Sequence, residues 1–264
     1  MKTPQQLRWQ CFATPGELVD TLHDDLARLA ASCIAERGAF HLVLAGGSTP
    51  KLLYHRLRHL ATDWSLWHFW FGDERCLPAG DPERNDSMAR EAWLDAVPVP
   101  PGQVHPIPAE LGAESAATAY SMELAAHGDF DLVLLGLGED GHTASLFPGN
   151  ELGSEPGSPD VLAVHDAPKP PPDRVSLSSN RLARARHVWF IVTGAAKSRA
   201  LQHWRDGAPI PAALFNATAA AEIYTVSLLD ARRSWAGLCR PTPEGRNLKP
   251  DQRVLEDLVV LLDG

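Results

Sequence analysis

No stretch of this sequence approaches the roughly 18 consecutive apolar residues of a membrane-spanning helix, and the opening "MKTPQQLRWQCFATPGEL" lacks the apolar segment of an export signal. A cytoplasmic protein with no membrane partner is the expectation. Cysteine is scarce: Cys11, Cys33, Cys76 and Cys239 are scattered with no C-x-x-C pair, so neither a zinc knuckle nor a disulfide framework is indicated. Positive charge is also in deficit, with 24 Lys and Arg against 33 Asp and Glu, and a net charge of -9 repels phosphate polymers. Nucleic acid is therefore excluded as a general partner. A small anionic ligand would have to be met by local basic residues.

What is present is a hydrophobic content of 44%, enough for a sizeable core, arranged in alternating patterns. Thr14-Pro15-Gly16-Glu17 has the form of a capping box with Pro in the first helical turn. Leu18, Leu22, Leu26, Leu29 and Cys33 then recur at helical spacing as far as Gly38. "FHLVLA" (40–45), "LWHFWF" (66–71), "DLVLLGLG" (131–138), "HVWFIVTG" (187–194) and "EIYTVSLL" (222–229) read as strands. "KLLYHRLRHL" (51–60), residues 85–97, residues 113–128 and "AAKSRALQHW" (195–204) read as helices. Apolar strands alternating with helices predict a doubly wound α/β fold, a mostly parallel sheet with helices on both faces. Residues 147–160 and 166–174 are Pro-rich loops, but neither separates two self-sufficient cores, so residues 1–264 are expected to form a single domain.

Ligands of such sheets bind beyond the carboxyl ends of the strands, and four clusters fall there. Gly46-Gly47-Ser48-Thr49-Pro50 joins a strand to a helix and is either an anion cradle of free N–H groups or an ordinary βα turn. It is no Walker A loop, and Pro50 stands where a G-x-S-x-G nucleophile elbow needs its second glycine, which weakens Ser48 as a nucleophile. In Gly72-Asp73-Glu74-Arg75, Arg75 is suited to clamping an anion and Asp73 to orienting it or handling a proton; the alternative is a solvated salt bridge. Lys197 stands in a helical first turn, against the dipole, either for an anion or reaching to solvent. Trp64, Trp67 and Trp70 could stack on a sugar, though strand-spaced aromatics usually belong to the core. His55 and His59 have metal-pair spacing but no third ligand, which favours a solvated helix face and no metal.

The fourth cluster is "LLGLGEDGHTASLFPG" (134–149). Gly136, Gly138 and Gly141 spell G-x-G-x-x-G, yet Pro148, Gly149, Gly153 and Pro156 come too soon for the helix of a dinucleotide site, and Asp140 would oppose a pyrophosphate. The glycines are better read as a tight turn that exposes Asp140 and His142 over the strand ends. Imidazole is the side chain suited to taking a proton from water near neutrality.

"LAGGSTP", "FWFGDERCLP" followed by "RNDSMAREAWL", "LLGLGEDGHTASLFPG", "DRVSLS" and "VTGAAKSRAL", in this order, resemble the 6-phosphogluconolactonase family from about residue 15 to residue 235. The resemblance implies a Rossmann-like fold of the sugar-phosphate isomerase/deaminase type. It also implies hydrolysis of 6-phospho-D-glucono-1,5-lactone, the second step of the oxidative pentose phosphate pathway, with no metal or organic cofactor. His142 would be the general base and Asp140 would position it. Arg75 and the N–H groups of Gly46 and Gly47 are candidates for the oxyanion. Arg174 and Lys197 would hold the phosphate, with Ser48 and Thr49 assisting, and Asp73 would orient Arg75 or a sugar hydroxyl. Glucosamine-6-phosphate deaminases share the fold, but where they carry an Asn-Glu pair this chain has Leu146 and Phe147. A deaminase-like isomerase and a non-catalytic sugar-phosphate sensor are the alternatives; the second lacks any DNA-binding element. Residues 236–264 extend past the resemblance, with Val254, Leu255, Leu258, Val259, Leu261 and Leu262 on one helical stripe. A monomer or small homo-oligomer is expected.

Overall fold

The computed structural model describes residues 7–217 and 221–226. In chain order the elements are β1 (Arg8–Phe12), α1 (Pro15–Arg37), β2 (Phe40–Leu44), α2 (Ser48–Leu57), β3 (Trp67–Phe71) and β4 (Asp73–Arg75). They continue with α3 (Asn85–Ala92), β5 (Val104–His105), α4 (Ala113–Leu124), β6 (Leu132–Leu135), β7 (Val161–Val164) and β8 (Arg174–Leu177). The last are α5 (Ser179–Ala183), β9 (His187–Val192), α6 (Ser198–Arg205) and β10 (Ala221–Val226).

Seven strands form one parallel sheet in the order β1-β10-β9-β6-β2-β3-β5. Its central strands are covered on both faces: Leu42, Val43 and Leu44 of β2 and all four residues of β6 are buried, as a parallel sheet between helical layers requires. The chain moves outward from β2 to β3 and β5, then returns to β6 on the other side of β2. The crevice between the carboxyl ends of β2 and β6 is therefore the switch point of the sheet, the place where such folds open a ligand site.

Helix α1 illustrates how local rules set the frame. Thr14 Oγ1 accepts the Glu17 N–H at 3.2 Å, Glu17 returns a bond to the Ala13 N–H at 3.0 Å, and Pro15 opens the first turn. Gly38 ends the helix at φ 81° with its N–H on the Ile34 carbonyl. Leu18, Leu22, Leu26, Ala30 and Cys33 form its buried stripe.

Three expectations are corrected. Helix α2 starts at Ser48, so the Ser-Thr-Pro of the glycine loop is the first helical turn itself. A second, antiparallel sheet of order β4-β8-β7 exists, so Asp73–Arg75 is a strand and β7 and β8 interrupt the Pro-rich region. The helix read over 85–97 ends at Ala92 and gives way to a short 3-10 turn, Leu94–Ala96. Trp64, Trp67 and Trp70 are buried and belong to the core, leaving no sugar-stacking role. Cys33 and Cys76 are free thiols. No helix among the described residues is long and apolar enough to cross a membrane. The extension 236–264 lies outside the described residues.

Candidate active site

A cavity of about 370 Å³ opens at the switch point, within the size range of small-molecule sites. Of the ten residues that the resemblance assigns to the site, nine line it: Gly46, Gly47, Ser48, Thr49, Asp73, Arg75, His142, Arg174 and Lys197. The tenth, Asp140, stands directly behind His142. Its Oδ1 accepts the His142 backbone N–H at 3.1 Å and lies 2.5 Å from His142 Nδ1. Burial raises the Asp140 carboxyl, but the hydrogen bonds from the His142 backbone and ring outweigh it and hold the group below its ordinary value. A carboxylate there places the ring proton on Nδ1 and leaves Nε2 as the acceptor.

The loop geometry explains the glycines. The Gly138 N–H bonds the His142 carbonyl at 2.7 Å and Gly141 returns to the Gly138 carbonyl at 3.1 Å, closing the turn. Gly141 has φ 89°, and a Cβ on it would meet Ile210 Cβ at 2.7 Å. A Cβ on Gly138 would overlap the His142 ring and approach Asp140 Oδ1 to 2.5 Å. Phe147, buried, has its ring centroid 4.7 Å from that of His142 and lies under the Arg174 guanidinium at 5.6 Å. Leu146 is also buried, so an apolar pair fills the position at which the deaminase pattern has Asn-Glu.

Asp73 is held from two sides. Its Oδ2 accepts the Ser145 hydroxyl at 2.6 Å and its Oδ1 the Asn85 amide at 3.2 Å; the same amide donates to the Asp73 carbonyl at 2.8 Å. The carboxylate therefore ties the His142 loop to β4 and the start of α3. Asn85 and Ser145 were not singled out from sequence, because nothing in their spacing marks them. Asn85 is buried in the cavity wall, and a Cβ on Gly46 would come within 2.8 Å of its Cγ. Gly46 is small because Asn85 is there.

Glu74 is fully buried and caps α3: it accepts the N–H groups of Arg75 and Asn85 at 2.8 Å and of Asp86 at 2.9 Å. Burial pushes its carboxyl up to about 7 against those three donors. Arg75 donates from Nη1 to the Glu83 carbonyl, and its buried Nε has no partner. Arg174 is buried, which lowers its pKa against the opposing charge of Asp73. It grips the carbonyls of Pro171, Lys169 and Pro170 at 3.2, 2.9 and 3.3 Å through Nε and Nη2. Thr49 meets Thr193 hydroxyl to hydroxyl at 2.6 Å beside the first turn of α2, which has no side-chain cap. Lys197 closes a 3-10 turn, Ala195–Lys197, just before α6. Among the described residues no cluster of three or more His, Cys, Asp or Glu is arranged to hold a metal ion, and His55 and His59 form no exception.

A parallel sheet with a cationic cleft at its switch point and an Asp–His pair on its rim defines an α/β protein built to act on a small anionic molecule. The sequence comparison narrows this class: the model of glucosamine-6-phosphate isomerases/6-phosphogluconolactonase matches residues 13–224, and the chain belongs to that family. The 6-phosphogluconolactonase of Mycobacterium leprae is 41% identical over 224 residues, 77% of this chain and 89% of its own. That of Streptomyces coelicolor is 42% identical over 192 residues, 66% and 73% of the two chains. The crystal structure of 6-phosphogluconolactonase from Thermotoga maritima superposes with a TM-score of 0.77 at 26% identity, covering 84% of this chain and all of that one. A monomeric glucosamine-6-phosphate deaminase, at 19% identity and a TM-score of 0.72 over 88% of this chain and 100% of its own, shares the fold.

Proposed function

We propose that the chain hydrolyses 6-phospho-D-glucono-1,5-lactone to 6-phospho-D-gluconate, with His142 as the general base. The observation that carries this reading is the Asp140–His142 pair on the rim of the cavity, with Nδ1 held and Nε2 hydrogen-bonded to nothing among the described residues. In this mechanism Nε2 takes a proton from water as its oxygen bonds to the lactone carbonyl carbon. The oxyanion is met by donors drawn from Arg75, whose Nε lacks a partner, and the N–H groups of Gly46 and Gly47. When the tetrahedral intermediate collapses, the bond to the ring oxygen breaks and the imidazolium returns its proton to that oxygen.

The phosphate is assigned to Arg174 and Lys197, with Ser48, Thr49 and the open first turn of α2 assisting. Asp73, bonded to Ser145 and Asn85, serves as a positioning residue rather than a proton carrier. The apolar Leu146–Phe147 pair supplies no acid for ring opening and amine loss, which favours the lactonase over the deaminase. The test is disappearance of freshly generated 6-phosphogluconolactone beside ammonia release from glucosamine 6-phosphate. Lactone turnover without ammonia is expected, and His142→Ala should lower kcat about 10²- to 10⁴-fold. Full turnover by that variant would remove His142 from the mechanism; ammonia release would overturn the substrate assignment.

A further inference from the structure

Among the described residues, Lys169 is the one cation lining the cavity that the reading above leaves without a task. It lies on the strap 166–173, whose ends are drawn together by the Ala167 N–H on the Pro172 carbonyl at 3.0 Å. The buried Arg174 fixes the backbone of this strap by the carbonyls of Lys169, Pro170 and Pro171. These bonds hold the backbone at the base of the Lys169 side chain, while its ammonium reaches toward the loop that carries His142. There it meets Glu139, in the same loop as Asp140 and His142, with Nζ 3.9 Å from Oε1 and side chains 62% and 57% exposed. A pair so long and so wet contributes little and is easily exchanged.

We propose that Lys169 is a substrate-binding residue that leaves Glu139 for the phosphate of the bound lactone, so that Glu139 competes with the substrate for the same ammonium. This rests on the lactonase reading. The physical reason is the charge balance of the cleft. Arg75, Lys169, Arg174 and Lys197 line it, and Asp73, the one acidic residue lining it among the described residues, already has partners on both oxygens. A phosphate entering that cleft is dianionic near neutrality and partly desolvated, so it attracts the ammonium more strongly than a single solvated carboxylate does. Glu139, outside the cavity lining, remains in water when released.

Competition of this kind gives the two partners opposite signs. Lys169→Met should raise KM for 6-phosphogluconolactone about tenfold, and Lys169→Arg should restore most of it. Glu139→Gln should lower KM about two- to threefold, and the same change made on top of Lys169→Met should do nothing further. Unphosphorylated gluconolactone should be hydrolysed alike by all of them, since the exchange needs the phosphate. An unchanged KM in Lys169→Met, or a raised KM in Glu139→Gln, would overturn the inference while wild-type turnover still upheld the lactonase reading. Parallel losses on both lactones in Lys169→Met, not restored by Arg, would also overturn it and make Lys169 a structural part of the strap. Absence of wild-type turnover would instead count against the lactonase reading.

Discussion

Gly138 lacks a side chain because the His142 ring occupies the space where one would lie. Ordinary Cβ contacts begin near 3.4 Å, and a methyl group here would sit well inside that limit against the imidazole and 2.5 Å from Asp140 Oδ1. Gly138→Ala should therefore push the ring off its Asp140 partner without touching the core. The expected result is a fall in kcat of about 10²-fold or more, consistent with loss of a positioned base, with the circular dichroism spectrum and melting temperature nearly unchanged. A variant with wild-type kcat would show that the ring tolerates displacement. The same glycine shows what was legible at this scale. Gly136-x-Gly138-x-x-Gly141 was visible as a tight turn, and Asp140 and His142 as its chemical content. That Gly138 makes room for the His142 ring was not visible, because it depends on how the turn folds the ring back over it, nor was the clasp of Asp73 by Asn85 and Ser145, which depends on which loops meet.

At the scale of elements, β2, β3 and β5 bring together a cluster of histidines. His41 and His68 are register partners with rings 4.5 Å apart, His68 stacks toward His105 at 5.5 Å, and His127 lies 6.0 Å from His41. Trp70 donates its indole N–H to His41 Nδ1 at 3.2 Å, a bond that requires that nitrogen to be unprotonated. Burial, then the neighbouring His68, His127 and His105, lower His41 to about 4; Asp131, which accepts the His41 backbone N–H and pairs with Arg37, pulls the other way. The sign follows from linkage. The unfolded chain takes up the His41 proton near pH 6.5 while the folded chain resists until about 4, so stability is full above pH 6.5 and declines as pH falls between these values. Allowing for partial solvent screening, the loss is about 1–2 kcal/mol. His41→Gln should flatten the melting-temperature profile between pH 6.5 and 4 relative to wild type; an equally steep profile would assign the acid sensitivity elsewhere. β2 and β3 were legible from their apolar runs, whereas the two residues of β5, Val104–His105, between prolines were not. The strands of the small antiparallel sheet were not, since three or four residues beside a proline-rich loop give too short a period to recognise.

At the scale of the molecule, the alternation of strands and helices was sufficient to specify a parallel α/β sheet, but not the order β1-β10-β9-β6-β2-β3-β5 that places its switch point between β2 and β6. That order is what gathers four cations at one crevice of a chain whose net charge is -9. Two electrostatic effects then act on an approaching phosphate lactone: the charge of the whole chain repels it at long range, and the cleft attracts it on contact. Salt separates them. The Debye length falls from about 30 Å at 0.01 M to about 8 Å at 0.15 M, so the long-range repulsion is largely gone by physiological ionic strength. What remains is the cleft, whose buried Arg174 is screened less than exposed Lys169. Between about 0.15 and 0.5 M salt, KM for the phosphorylated lactone should therefore rise only modestly, about two- to threefold, and Lys169→Met should remove much of that rise. Unphosphorylated gluconolactone should show no trend. A KM that fell steadily with salt over this range would mean that the charge of the whole molecule, and not the cleft, governs capture.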